Sequence, residues 1–208
     1  MSQRLFKQAG ATLLSLLLLI TAHGSAASET GTPKAVVQQT IDAATEVLAN
    51  KSLSADQKRK QIEEIVYAHF DFAILSRLVL ARHWKELSAE QQKDFVDEFK
   101  RHLSMTYGKN VETYNDERAV ITAVREEKQG DWTVKSKVVR KDAPEILVDY
   151  RLRMGDGRWQ VIDVVIEGVS LVANFRSQFQ EILASGGPDK LIKLLKDKNA
   201  KGEPLKKS

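Results

Sequence analysis

Apolar positions along this chain follow two periods, and the changes between them divide it into helices, then a sheet, then helices again. Between Thr32 and Asn110 they recur every third or fourth residue. Thr32-Pro33 opens a first helix with a capping residue and a proline at its first position, and Val36, Val37, Ile41, Val47 and Leu48 form its apolar side. The capping box Ser54-x-x-Gln57 opens a second helix that turns Ile62, Ile65, Val66 and His69 inward. A third, capped by Asp71, runs from Phe72 through Ala81 toward Trp84. It is apolar almost all round, as a helix wrapped by other elements is. Ser88-x-x-Gln91 opens the longest helix, with Phe95, Val96, Phe99, Leu103 and Tyr107 on one face.

Beyond Asn110 the pattern predicts strands at Val120 to Glu127, Trp132 to Lys141, Glu145 to Met154 and Arg158 to Glu167. Short turns at Gln129-Gly130-Asp131, Asp142-Ala143-Pro144 and Gly155-Asp156-Gly157 join them, so the sheet is expected to be an antiparallel meander. In the third strand Val148, Tyr150, Leu152 and Met154 share one face, opposite Asp149, Arg151 and Arg153, so only one side is dry. The stretch Trp159 to Phe179 organises the rest. Val161 to Ile166 is β-branched on both faces apart from Asp163, which suits a strand covered on both sides. Glu167-Gly168 permits a sharp turn, Ser170 is placed to cap a helix, and Leu171, Phe175, Phe179 and Ile182 form its stripe. A last short helix is opened by Pro188 and carries Leu191, Leu194 and Leu195.

The expected fold class is α+β: a strongly bent antiparallel sheet of about four strands, packed on one face by N- and C-terminal helices. No internal repeat and no linker divides it. The apolar inventory on that face exceeds what a plain core requires.

Charge and composition narrow the setting. Arg4 and Lys7 precede an uncharged apolar run from Ala9 to Ala22 and the small residues Gly24-Ser25-Ala26-Ala27, which is the pattern of a secretory signal peptide. The run is too short for a membrane span of ~20 residues. Cleavage is expected after Ala27, giving residues 1–27 as a removed leader, 28–198 as one domain and 199–208 as a basic flexible tail. The 208 residues include no cysteine, so neither a disulfide nor a lipidated N-terminal cysteine is available. Without the leader 30 basic residues face 28 acidic ones, and seven lysines lie in the tail from Asp189 onward. Nucleic acid is therefore a poor partner for an exported protein whose body is nearly neutral. The tail permits a transient membrane-surface contact with anionic lipid, against the plainer reading of a solvated, frayed terminus.

Catalytic constellations are mostly excluded. Gly168-Val169-Ser170 between a strand and a helix imitates a nucleophile elbow, but the fifth position is Val172 and no histidine follows Ser170. His69, His83 and His102 have no metal-ligand spacing. Gly186-Gly187-Pro188 stops one helix and starts another, with no Lys-Ser/Thr to make a phosphate loop. Asp163 is the best acid/base candidate, since burial would raise its pKa, and it equally fits a cap or an ion pair with Arg151 or Arg153. Arg176, beside Asn174 and Gln178, could meet an anionic head group or form the wet side of a helix.

Two long motifs carry a resemblance. The run from Asp71 to Trp84, with Ser88-Ala89-Glu90-Gln91-Gln92, Phe95, Phe99 and Thr106-Tyr107, and the run from Asp163 to Phe179 resemble the MlaC family of periplasmic phospholipid-binding proteins, also called toluene-tolerance proteins. The similarity covers essentially the whole chain after the leader. It departs at Ala81, where the family pattern has Gly, and at Phe175, where it often has Tyr. The resemblance implies a soluble, non-enzymatic carrier that moves phospholipid across the periplasm and maintains outer-membrane lipid asymmetry. It needs no cofactor and holds acyl chains as cargo in an apolar cavity between sheet and helices. The implied partners are an inner-membrane ABC transporter complex with a mammalian-cell-entry subunit and an outer-membrane lipoprotein-porin complex.

On that footing acyl contacts are expected at Leu75, Leu78, Val79, Phe99, Leu103, Val148, Tyr150, Leu152, Val161, Val165, Val172 and Phe175, each of which also fits ordinary core. Arg82, Tyr107, Asn174 and Arg176 are expected near the head group or mouth. The alternatives are a carrier of another lipid such as a hopanoid, and an enzyme on the related cone of ketosteroid isomerase that uses Asp163 with Tyr107.

Overall fold

A computed structural model describes residues 31–108, 111 and 113–205, so the expected leader lies outside the described residues. Four helices come first: α1 (Pro33–Ala49), α2 (Ala55–His69), α3 (Phe72–Leu80) and α4 (Ala89–Gly108). Their starts lie at the sequence signals. Thr32 Oγ1 accepts from Ala35 N at 3.1 Å, and Asp71 Oδ1 accepts from Ile74 N at 2.8 Å. Ser54 with Gln57 and Ser88 with Gln91 close reciprocal capping boxes. Each satisfies backbone N–H groups that a helix start leaves unpaired.

Strands β1 (Arg118–Glu126), β2 (Trp132–Val139), β3 (Ile146–Gly155), β4 (Arg158–Ile166) and β5 (Val169–Ser170) follow, and every neighbouring pair is antiparallel in chain order. The fifth strand, two residues long, adds to the four expected. It arises because Glu167 and Gly168 both take positive φ, 50° and 79°, in a tight hairpin turn, as Asp156 and Gly157 do between β3 and β4. Bulges at Thr122 in β1 and Ile162 in β4 break the register and bend the sheet. The second lets Val161, Ile162, Asp163 and Val164 all be buried in succession, so β4 is dry on both faces.

The chain ends in α5 (Leu171–Lys201), whose two halves meet at Gly187, φ 70° and ψ −173°, before Pro188. The expected stop and start is therefore a kink between two helical segments. The second segment continues to Lys201, past residue 199 where the basic tail was placed. Asn199 is buried, and Leu205 packs against the helical cluster. The described part of that segment belongs to the domain, because a buried hydrogen-bond network ties it to α4.

Buried apolar residues form two clusters. One is helical, built by Leu75, Val79, Leu80, Phe95, Phe99, Val172, Phe175, Phe179 and residues of the second half of α5. The other lies on the sheet face under α1 and joins Val37 and Ile41 to Val134, Val148, Leu152, Val161 and Val164. Phe70 and Leu171 are the residues packed against both. Both are held close to β4: Phe70 bridges Val161, the Asp71 amide donates to the Val161 carbonyl at 3.0 Å, and Leu171 follows β5 directly.

Ala81, which ends α3, has φ 50° and ψ −122°. A Cβ makes this conformation costly, whereas glycine enters it freely. The Gly expected at this position from the resemblance would have a backbone reason, and Ala81 retains the shape at a cost. Ala81→Gly is expected to stabilise the protein by about 1 kcal/mol and raise its melting temperature by ~2–4 °C. An unchanged or lowered melting temperature in calorimetry would show that the strain is absent.

Candidate functional site

The residues assigned to acyl contact divide between the two clusters. Leu75, Val79, Phe99, Val172 and Phe175 are buried in the helical one, with Leu78 and Leu103 half-buried against it. Val148, Leu152 and Val161 are buried in the sheet cluster, with Tyr150 half-buried beside them. Val165 pairs with Asp149, so it lies on the opposite sheet face from Val148, Tyr150 and Leu152. The Ile162 bulge decides this, because it shifts the alternation along β4 by one position.

Aromatic rings set the shape of the helical wall. Phe99 meets Phe175 edge-on at 5.1 Å and Phe179 at 5.4 Å, and it stacks on Phe95 at 5.5 Å. Phe175 is buried in this group, so a tyrosine hydroxyl there would enter a ring cluster. Phe95, Phe179, Val37, Ile41, Val134 and Val164, not among the residues assigned to acyl contact, are buried in the same two clusters. Their periodicity marked them as apolar but could not say which cluster they join. Helix α2 buries no residue fully: Ile62, Ile65 and Val66 remain half-buried. An apolar face so loosely covered suits a wall that another molecule completes.

The four residues placed near a mouth are not brought together by hydrogen bonds or ion pairs among the described residues. Arg176 donates through Nε and Nη2 to the Leu78 carbonyl, tying α5 to the last turn of α3. Arg82 is exposed and donates to His83 Nε2 at 3.3 Å. Asn174 is exposed and accepts from Gln178 Nε2. Tyr107 is 37 % exposed at the end of α4. Burial pushes the phenol of Tyr150 above its ordinary value, which suits an apolar sheet face.

Asp163 is only 1 % exposed. Its carboxylate accepts from Ser170 Oγ at 2.6 Å and from Val172 N at 3.1 Å, and it lies 3.8 Å from Arg151 Nη1. It therefore occupies the N-terminus of α5, where its charge is favourable, and fills both plainer roles expected of it. Among the described residues no group of three His, Asp or Glu side chains could hold a metal ion. An open cleft where α4 begins is lined by Ser88, Glu90, Gln91, Asp94, Asp189 and neighbouring lysines, with Ile192 its one apolar side chain. None of the assigned residues lines it.

Behind Phe175, His102 is buried with its ring 6.2 Å away. Leu205 N donates to Nε2 at 3.4 Å, so the proton sits on Nδ1, which donates to Asn199 Oδ1 at 3.0 Å. Asn199 Nδ2 in turn donates to the Glu98 carbonyl and carboxylate. The network fits a neutral imidazole, and burial pushes its pKa down, helped by Lys198.

Comparison with known proteins places this geometry. A family model described as MlaC protein matches residues 38–197. The chain is 25 % identical over 182 residues to the toluene tolerance protein ttg2D of Pseudomonas putida, covering 84 % of this chain and 83 % of that one. It is 27 % identical over 193 residues to the intermembrane phospholipid transport system binding protein MlaC of Haemophilus influenzae, covering 87 % and 88 %. The solved structure of a phospholipid-binding protein from Ralstonia solanacearum, in complex with a phospholipid, superposes with a TM-score of 0.72 at 22 % identity. That match covers 81 % of this chain and 97 % of the other.

The histidines give a pH dependence of known sign. His102, and His69 through burial and Arg158, titrate lower in the folded protein than in the unfolded chain. The unfolded chain therefore takes up protons first as pH falls below about 6.5, and stability present above that value is lost at up to ~1.4 kcal/mol per pH unit per histidine. Urea unfolding between pH 7.5 and 5 should show this slope, and His102→Gln should flatten it. An unaltered slope in the variant would remove His102 from the account.

Proposed function

The chain belongs to the MlaC protein family, and from that premise we propose that it is a periplasmic phospholipid carrier. It holds acyl chains between sheet and helices and shuttles lipid between outer and inner membrane, maintaining outer-membrane lipid asymmetry. The observation that carries this reading is the divided interior: two apolar clusters that share Phe70 and Leu171, where a domain of this size ordinarily has one contiguous core. The apolar face of α2 is only half-covered, and Tyr150, Trp159 and Ile166 are half-buried against the sheet cluster.

The energetics favour such a guest. A lipid with about thirty methylenes would cost on the order of 24 kcal/mol to leave wet, at ~0.8 kcal/mol each. An empty cavity of ~500 Å³ would cost about 12 kcal/mol at ~24 cal/mol per Å³, comparable with the whole stability of a domain. Carrier and cargo each cover apolar surface the other cannot leave bare. The names of the relatives, one an intermembrane phospholipid transport binding protein, support phospholipid over a hopanoid as cargo. Among the described residues no helix is long and apolar enough to cross a membrane. The leader pattern supports export, and delivery then requires the inner-membrane transporter and outer-membrane lipoprotein-porin complexes of such a system. The carrier performs no reaction, and the buried carboxylate of Asp163 serves as a helix cap.

Protein purified without detergent should yield close to one phospholipid per chain on organic extraction and mass spectrometry. Lipid-free protein should melt lower. Leu152 has no exposed surface, so an arginine there threatens the fold, and Tyr150→Arg is the informative change. It should abolish lipid co-purification while circular dichroism stays native. Wild-type protein that carries no lipid would sink the carrier reading.

A further inference from the structure

The end of the described chain is held by a buried titratable side chain. His102 of α4 is 1 % exposed, and its two ring nitrogens face different segments. Nδ1 meets Asn199 Oδ1 on α5, and Nε2 receives the amide of Leu205 beyond that helix. The roles are fixed from both ends. A backbone N–H can only donate, so Nε2 carries no proton. The Glu98 carbonyl can only accept, so Asn199 turns its amino group to Glu98 and its oxygen to His102. Only the neutral ring with its proton on Nδ1 satisfies every group. The segment that carries Leu205 is lightly held. The Gly202 amide donates to the Asn199 carbonyl at 3.3 Å and the Glu203 amide to the Lys198 carbonyl at 3.0 Å. Gly202, Glu203 and Pro204 are exposed, and Leu205 is half-buried against the helical cluster. The helix before them is anchored separately by Leu191, Ile192 and Leu195, so opening of the last residues is a local event that leaves the body folded.

We propose that His102 is an acid-released latch on this end of the chain: a proton gained at Nε2 turns an acceptor into a donor that opposes the Leu205 amide, and residues 202–205 leave the helical cluster. The charged ring keeps its bond to Asn199, and its new N–H donates to water that enters where Leu205 lay. The charged groups around it act in opposite directions. Lys198 of α5 opposes the added charge, and its ammonium is 2.7 Å from Glu203, a partner it loses when the segment leaves. Glu98 of α4, reached through Asn199, favours the charge, while Lys196 of α5 is paired with Asp94. The first half of α5 meets the ring through Phe175, which carries no charge. Ambient pH thereby reaches the aromatic wall, since the His102 ring stands edge-on to Phe175 at 6.2 Å.

The chain has no cysteine, so Pro204→Cys in the full chain without its leader places a single nitroxide at an exposed position beside Leu205, and its mobility is read by electron spin resonance. At pH 7.5 the label should be immobile. As pH falls through the titration of His102, the ratio of mobile to immobile label should rise about tenfold per pH unit, the slope of one linked proton, while circular dichroism stays native. His102→Gln should remove that pH dependence. A second measurement needs no variant at His102: in the unlabelled chain, the ring-nitrogen resonances of His102 should report protonation of Nε2 at the midpoint where the label is released. A label whose mobility is the same at pH 7.5 and pH 5, a pH dependence that persists in His102→Gln, or a midpoint apart from that of His102 would overturn the proposal. So would loss of the circular dichroism signal at the same midpoint, which would make the release part of global unfolding. None of these outcomes bears on whether the protein carries lipid.

Discussion

One buried carboxylate ties the sheet of this protein to its helices. Asp163 leaves β4 at a position where Arg151 can approach from the neighbouring strand, and it meets the first turn of α5, accepting from Ser170 and Val172. A charge so deeply buried is tolerated because each of its oxygens has a donor and the helix dipole points at it. Its consequence is positional. The start of α5 is fixed against β4, so Val172 and Phe175 enter the helical cluster while Val161 and Val164, on the same strand as Asp163, enter the sheet cluster.

The division of the interior follows from that clamp. Helices α3, α4 and α5 pack around a group of phenylalanine rings, and α1 packs on the sheet face that carries Val134, Val148 and Leu152. Phe70 and Leu171 stand where the two bodies meet, each at a chain reversal beside β4. A domain built this way does not gain the full burial its composition allows, and α2 is left with a half-covered apolar face. A carrier needs that deficit, since a core that filled itself would have no free energy to offer a lipid.

Much of the fold was legible in the sequence. Five helix starts lie at Thr32, Ser54, Asp71, Ser88 and Ser170, because capping is a contest between a side chain and backbone groups within three residues of it. The hairpin turn at Asp156-Gly157 and the sharp turn at Glu167-Gly168 were legible for the same reason, whereas the short β5 that makes the second a hairpin was not. The site was less so. Apolar spacing selected Leu75, Phe99, Leu152 and Phe175 as interior but could not divide them between clusters. It set Val165 beside Val161 in one acyl-contact set, because the extra residue at Ile162 that turns Val165 to the other face leaves no mark in the β-branched run.

The residues offered for a mouth show the same limit. Arg176 read as a free cation because charge and position are properties of the sequence, yet its guanidinium is committed to the carbonyl of Leu78, 98 residues away in the chain. Helix starts and turns rest on interactions across three or four residues and were determined by the sequence alone. What only the tertiary structure decided was the bulge register, the separation of two cores, and the capture of the last helix by His102 and Asn199. Each of these depends on groups far apart in the chain meeting at distances of a few ångströms, and no periodicity along a sequence records such a meeting.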